Sequence, residues 1–283
     1  MYKKFYGFTE KPFNTTPDSK FFFPSHKHAE ALNSLFYAID ERKGFVVITG
    51  EIGSGKTTIT RTLLNRLNVD TRVALITNTH LTCKELIVNI LEEFEVDFQP
   101  GSKQRLLSQL NGYLIKQLAA NTNMVLLIDE AQNLPTKVLE EVRMLSNLET
   151  EKEKLIQIIL VGQPQLKTKL EHIKLEQFKQ RIAVFYHLNS LNQHETHDYI
   201  LHRLKLVGTD VENIFTPDAI KLIFTHSHGI PRIINILCDS ALLSGYILET
   251  KTITPEIMTE VIKERNFDRK LTGVSDINIP DSI

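Results

Sequence analysis

Gly50-Glu51-Ile52-Gly53-Ser54-Gly55-Lys56-Thr57 fits the phosphate-loop pattern G-x-x-x-x-G-K-[ST] at every fixed position. Before it, Phe45-Val46-Val47-Ile48-Thr49 is a short β-branched run that reads as a buried strand. After it, Thr57-Thr58-Ile59-Thr60-Arg61-Thr62-Leu63-Leu64 carries apolar residues at helical spacing. A Gly/Ser turn that happened to precede a lysine would lack both flanks. Glycines let the backbone wrap an anion at φ values other residues resist. The loop N–H groups and the helix N-terminus then point at phosphate oxygens. Gly50 to Thr58 are therefore candidate nucleotide-binding residues. Lys56 would reach the β- and γ-phosphates, and the Thr57 hydroxyl would hold Mg²⁺.

Outward from the loop, strands and helices alternate. Arg72–Thr77, Met124–Ile128, Leu155–Val161 and Ile182–Leu188 read as further strands. Helices are expected at about 28–42, 82–94, 103–120 and 138–148. Such alternation predicts a parallel sheet with helices on both faces, a three-layer αβα core. From about Asn192 no good strand follows. Helices at 193–206, 217–226, 232–248 and 255–265 are punctuated by Gly208, Pro217, Gly229-Ile230-Pro231 and Thr254-Pro255. The expected organisation is thus 1–27 as an aromatic, proline-rich segment packing on the core, 28–190 as the core, 191–267 as a helical lid and 268–283 as a flexible tail.

At the end of the third strand stands Asp129-Glu130. Ligands of open α/β sheets sit outside strand C-termini. With a phosphate loop upstream, Asp129 is placed to bind Mg²⁺, and Glu130 to orient or deprotonate an attacking water. Two acids merely capping a strand is the blander alternative.

The chain has 283 residues, 42% hydrophobic and 24% charged, with a formal net charge of −1. That is ordinary globular composition, and it supplies no global basic field for nucleic acid or anionic membrane. Cys83 and Cys238 each lie in an apolar helical pattern and read as buried free thiols, against a disulfide framework or a zinc site. No signal-peptide core opens the sequence, and no run approaches the ~20 apolar residues of a membrane span. A cytoplasmic protein, reaching the inner membrane only through a partner, is the expectation.

The ordered blocks carry a more specific resemblance. They begin with Lys11-Pro12-Phe13-Asn14-Thr15-Thr16-Pro17-Asp18, then Phe22, Ser25, His28 and Ala31-Leu32. Next come Thr49–Thr58, Ile128–Leu134, Arg143–Glu149 and Leu160–Pro164. The last are Gln180-Arg181-Ile182, His202-Arg203-Leu204 and Gly229-Ile230-Pro231-Arg232. From about residue 5 to 248 the chain resembles AAA+ ATPases of the general secretion pathway protein A (ExeA-like) family. The resemblance implies an AAA+ core with a helical lid, ATP and Mg²⁺ as ligands, and oligomerisation with ATP. It also implies that the aromatic N-terminal segment lies near the adenine pocket. Gln163 takes the place of a polar sensor beside the γ-phosphate, where a plain reading is a turn residue before Pro164. Arg181 takes the place of an arginine finger acting on a neighbour's nucleotide, where a plain reading is a surface arginine near Lys174 and Lys179. Arg232 resembles a second sensor at a lid helix start, where a cation opposes the helix dipole.

The implied activity is ATP hydrolysis to ADP and phosphate, driving assembly of a secretion, pilus or exopolysaccharide system through a protein partner. Longer relatives carry a membrane helix and a peptidoglycan-binding domain after the lid. No such pattern occurs up to Ile283, so direct cell-wall binding is not expected. The alternative is a transposition-type regulator assembling on duplex DNA. Lys167–Lys179 offers local positive charge for it, while the net charge of −1 gives no support. A nucleotide-binding scaffold with negligible turnover is the third reading. His194-Glu195-Thr196-His197 is not a zinc motif, because its histidines are three apart. The mixed-charge run Glu149–Lys154 reads as a solvated loop.

Overall fold

The computed structural model describes residues 1–151, 153–208 and 213–272. Twelve helices and five strands follow one another in chain order among them. They are α1 (Tyr2–Tyr6), α2 (His26–Asp40), β1 (Phe45–Gly50), α3 (Lys56–Leu64), β2 (Thr71–Ile76), α4 (Cys83–Glu93) and α5 (Lys103–Ala119). Next are β3 (Asn123–Ile128), α6 (Thr136–Leu145), β4 (Gln157–Gly162), α7 (Pro164–Leu170), α8 (Glu176–Lys179) and β5 (Ile182–Leu188). Last come α9 (Gln193–Lys205), α10 (Pro217–Ser227), α11 (Pro231–Ile247) and α12 (Pro255–Thr272). The chain divides into two compact units, Asp18–Asn189 and a second made of Met1–Pro17 with Ser190–Ile283.

The first unit is a five-stranded parallel sheet in the order β2-β3-β4-β1-β5. The expected αβα core is thus observed. Alternate residues of each inner strand feed opposite faces, as the two-residue strand period requires. Val46, Ile48, Val125, Leu127, Ile159 and Val161 pack with Leu32, Leu35 and Ile39 of α2 and with Ile59 and Leu63 of α3. Phe45, Val47, Leu126, Ile128, Ile158 and Leu160 pack on the other side with α4, α5, α6, α7 and α8. Burial on both faces explains why these strands read as continuous apolar runs. Each buried aliphatic side chain contributes about 1.5–3 kcal/mol of transfer free energy. Local chemistry sets the ends. The Thr82 side chain and Glu85 form a capping box that starts α4.

In the second unit, Asn192 and Glu195 form the capping box of α9, and prolines occupy the first turns of α10 and α11. His228 closes α10 in the left-handed conformation, and Gly229 follows at φ +72°. A Cβ on Gly229 would lie 1.8 Å from the Leu191 carbonyl oxygen, so only glycine fits.

The N-terminal segment divides at Pro17, and residues 1–17 group with the helical unit. Tyr2 donates to Asp239, and Tyr6 donates to the Thr250 carbonyl at 3.2 Å. Phe13 is buried against Phe215, with ring centroids 6.1 Å apart. Backbone N–H of Thr9 reaches the Val207 carbonyl at 2.9 Å. These aromatic residues have partners in the helical unit, whereas Phe22 joins the core beside α2. α12 runs on to Thr272, past the expected break near 267; of the expected tail, 273–283 lie outside the described residues. Cys238 is buried as expected, but Cys83, at the first turn of α4, is only partly so. Among the described residues no helix is long and apolar enough to cross a membrane.

Candidate nucleotide site

The C-terminal edge of the sheet gathers most of the expected site residues. β1 ends at Gly50, and its Thr49 lies opposite Gly162 of β4, so Gln163 follows β4 where the loop leaves β1. Ile128 lies opposite Leu160, so Asp129 and Glu130 emerge from β3 at the same edge. This placement follows from parallel register alone, because every strand points its C-terminus the same way.

The loop turns through Gly53 at φ 83° and Gly55 at φ 102°. Gly55 caps α3, whose first residue is Lys56. Lys56 is buried, and its Nζ donates to the carbonyls of Gly50 at 2.8 Å and Glu51 at 2.9 Å. Burial lowers its basicity, while Glu130, Asp129 and Glu51 pull the other way. Ser54 Oγ is buried without a hydrogen-bond partner among the described residues, and a Cβ on Gly50 would lie 2.7 Å from it. A buried ammonium held only by neutral carbonyls, beside an orphan hydroxyl and a helix N-terminus, fits a polyanion.

Asp129 is held above its ordinary carboxyl value. Burial is the main cause; the Glu130 N–H and Lys56 lower it, and the Glu130 charge adds to the rise. Its Oδ1 accepts the Glu130 backbone N–H at 2.9 Å. With the half-buried Thr57 hydroxyl it supplies the oxygen donors a Mg²⁺ ion prefers. Glu130 itself sits at φ 50°, ψ 36°, a left-handed conformation that costs a non-glycine residue on the order of 1 kcal/mol.

Glu130 Oε2 accepts two amides, Gln132 Nε2 at 2.6 Å and Gln163 Nε2 at 3.2 Å. Gln132 also uses its other end, accepting the Gln163 backbone N–H at Oε1 across 2.9 Å. A Cβ on Gly162 would lie 2.8 Å from that Oε1, so a glycine is what lets the amide in. Sequence reasoning quoted Gln132 within Ile128–Leu134 but gave it no part. Its proximity to the acid, two residues on, was the available signal.

Arg181 is not brought to this edge. Ile182 pairs with Phe45, the first residue of β1, so Arg181 lies at the opposite edge of the sheet. That is roughly 16 Å from Gly50 along the strand, at about 3.3 Å per residue. Its Nη1 donates to Ser146 Oγ at 2.8 Å, to Asn147 Oδ1 and, at 3.5 Å, to the Arg143 carbonyl. These groups close the C-terminal end of α6, where a cation suits the helix dipole. Arg232 is exposed in the first turn of α11, in the helical unit, and makes no ion pair among the described residues. Among those residues no cluster of three or more His, Cys, Asp and Glu side chains could hold a metal by itself.

The chain is also similar to known proteins. A family model described as an AAA domain matches residues 39–170. General secretion pathway protein A of Aeromonas hydrophila is 42% identical over 247 residues, covering 87% of this chain and 45% of that protein. The chain thus spans less than half the length of that relative. Among solved structures, the Aeropyrum pernix ORC2 protein aligns with a TM-score of 0.67 at 16% identity, over 91% of this chain and 72% of that one. The Thermotoga maritima RuvB Holliday junction branch migration motor aligns with a TM-score of 0.56 at 19% identity, over 86% and 74%. At such identities these two structures speak to the fold alone.

Proposed function

We propose that the chain is an AAA+ ATPase of the kind that general secretion pathway protein A represents, as its 42% identity to that protein and the AAA-domain match support, and that it hydrolyses ATP to ADP and phosphate as an oligomerising switch. The observation that carries this reading is the meeting of Lys56, Asp129, Glu130 and Gln163 around a loop with two left-handed glycines. The backbone N–H groups of Gly53 to Thr58 and the Lys56 ammonium hold the phosphates. Thr57 and Asp129 would hold Mg²⁺, which would supply positive charge to offset that of the phosphates. Glu130 takes a proton from the attacking water, and Gln163 offers its amide beside the γ-phosphate. Arg181 acts on the nucleotide of a neighbouring subunit, for which its position at the far edge of its own sheet is suited. Arg232 couples the lid to the phosphate.

In this reading hydrolysis drives or switches assembly of a secretion, pilus or exopolysaccharide system through a protein partner; the name of the relative, general secretion pathway protein A, supports the first of these. The protein works in the cytoplasm, against the inner membrane by way of that partner. Sedimentation of the purified chain with ADP, with ATP, and with ATP plus duplex DNA tests it, using Glu130→Gln to hold the ATP state. Larger assemblies with ATP alone, with phosphate release abolished by Lys56→Ala, are the expected result. Assembly only in the presence of DNA would move the reading to a transposition-type regulator.

A further inference from the structure

His28, in the first turn of α2, joins that helix to the phosphate loop. Its side chain is 5% exposed. Nδ1 lies 2.7 Å from Ser25 Oγ, the helix cap, and Nε2 lies 3.0 Å from the Ser54 carbonyl oxygen. A carbonyl can only accept, so Nε2 carries the hydrogen of that bond, whichever way the Nδ1–Ser25 hydroxyl bond runs. On the next residue, Gly55, a Cβ would stand 3.0 Å from His28 Nε2. The ring therefore packs directly on the peptide that joins Ser54 to Gly55. The scaffold behind it is fixed as well. Tyr186 of β5 donates to the Lys27 carbonyl at 2.8 Å and lies 3.0 Å from Glu30 Oε2.

We propose that His28 is a positioning residue for phosphate binding, acting through the Nε2–H to Ser54 carbonyl hydrogen bond. The inference rests on reading Gly50–Thr57 as a phosphate loop. A trans peptide is planar, with C=O and N–H on opposite sides, so fixing the Ser54 carbonyl fixes where the Gly55 N–H points. Gly55 has no side chain to hold its own conformation, and at φ 102° it has wide backbone freedom. Without the tether the Ser54–Gly55 peptide can turn, presenting a carbonyl dipole to phosphate in place of an N–H.

Titration calorimetry of the full chain with ADP tests this in three variants. His28→Leu removes the donor. His28→Asn keeps an amide near Nδ1 but does not reach Ser54. His28→Gln places an amide N–H near the Nε2 position. His28→Leu and His28→Asn should weaken ADP binding about tenfold, the cost of one hydrogen bond and a mis-set peptide. His28→Gln should restore affinity to within about threefold of wild type. Unfolding temperatures without nucleotide show whether each variant is folded, and the Asn and Gln pair decides the matter should Leu not fold. Wild-type affinity in His28→Asn, or a folded His28→Gln as weak as His28→Asn, would overturn the assignment alone. A wild-type chain that binds ADP no better than Lys56→Ala would overturn the phosphate-loop reading and this assignment with it.

Discussion

Gln163, the residue after β4, donates its side-chain amide to Glu130 Oε2 at 3.2 Å, on the oxygen that also accepts Gln132. Two donors on one carboxylate oxygen leave Oε1 outside these bonds, and the proposed mechanism gives that oxygen the attacking water. Gln163→Ala removes one donor and the proposed contact to the γ-phosphate, but touches no group of the phosphate loop. Turnover should fall tenfold or more, on the order expected for a misplaced general base, with ADP affinity within about twofold of wild type. Steady-state phosphate release and ADP calorimetry check the two halves separately. A loss confined to affinity would remove Gln163 from the hydrolytic step.

Glu130→Gln conserves shape and can turn its carbonyl oxygen toward the Gln132 and Gln163 amides, so the bracket survives. What it loses is the carboxylate charge, the proposed general base. Phosphate release should drop about 10²–10³-fold, while ATP stays bound and is recovered intact from the protein. Wild-type turnover in this variant would transfer the general-base role elsewhere.

How far this site could be read from sequence depended on which groups share a local pattern. Gly50–Thr57 and Asp129-Glu130 carry motif spacing, and apolar strands on either side fix their edge of the sheet. Met124–Ile128 read correctly as a strand because both its faces are buried. Side-chain direction is not in the pattern, so the bracket of Gln132 between β3 and β4 was invisible, as was the ring of His28 under Gly55. Short helices were also lost. α1 has five residues and α8 four, too few to display a period, and α7 follows a strand with only Pro164 as its start signal. Aromatic residues of the N-terminal segment announced burial but not a partner, and Tyr2, Tyr6 and Phe13 found theirs some 200 residues away.

Burial keeps the Asp129 carboxyl above its ordinary value. Folding therefore favours its protonated form. Its contribution is fully present below the ordinary carboxyl value of about 3.9 and is lost as pH rises through the folded-state value, so ionised Asp129 costs stability at pH 7. Asp129→Asn keeps an oxygen for the Glu130 N–H and removes the charge. Without nucleotide this variant should melt above wild type at pH 7, the gap closing toward pH 4. An unchanged or lower melting temperature at pH 7 would contradict the electrostatic account. Turnover should be lost at the same time, the trade expected of a charged functional site.

Arg181 serves α6 of its own chain through Ser146 and Asn147, so its removal acts in two ways. Arg181→Ala should cost on the order of 1–2 kcal/mol of stability from the lost charged hydrogen bonds. If it also completes a neighbour's site, Arg181→Ala and Glu130→Gln are each inactive but complementary. A Glu130→Gln subunit lends its intact Arg181 to a site whose Glu130 is intact. Mixing the two should therefore restore phosphate release that neither gives alone. A mixture as silent as its components, under conditions where both assemble, would confine Arg181 to the support of α6.

Gly229 is a position where the helical unit does not tolerate a side chain. Its φ of +72° lies where side chains are strained, and its carbonyl accepts the Leu191 N–H at 2.9 Å. A Cβ would lie 1.8 Å from the Leu191 carbonyl oxygen and 3.0 Å from its nitrogen. Both obstacles are backbone, so no rotamer relieves them; either Leu191 or the turn after α10 must move. Left-handed strain costs about 1 kcal/mol and overpacking typically 1–3 kcal/mol, so Gly229→Ala should lose roughly 2–4 kcal/mol. Denaturant unfolding measures that loss directly. Gly112 gives the control, because a Cβ there meets nothing within 4 Å inside α5. Gly112→Ala should gain up to about 1 kcal/mol from helix propensity. If both variants unfold at the wild-type midpoint, the turn between α10 and α11 yields easily, and the close approach of Gly229 to Leu191 carries no share of the stability.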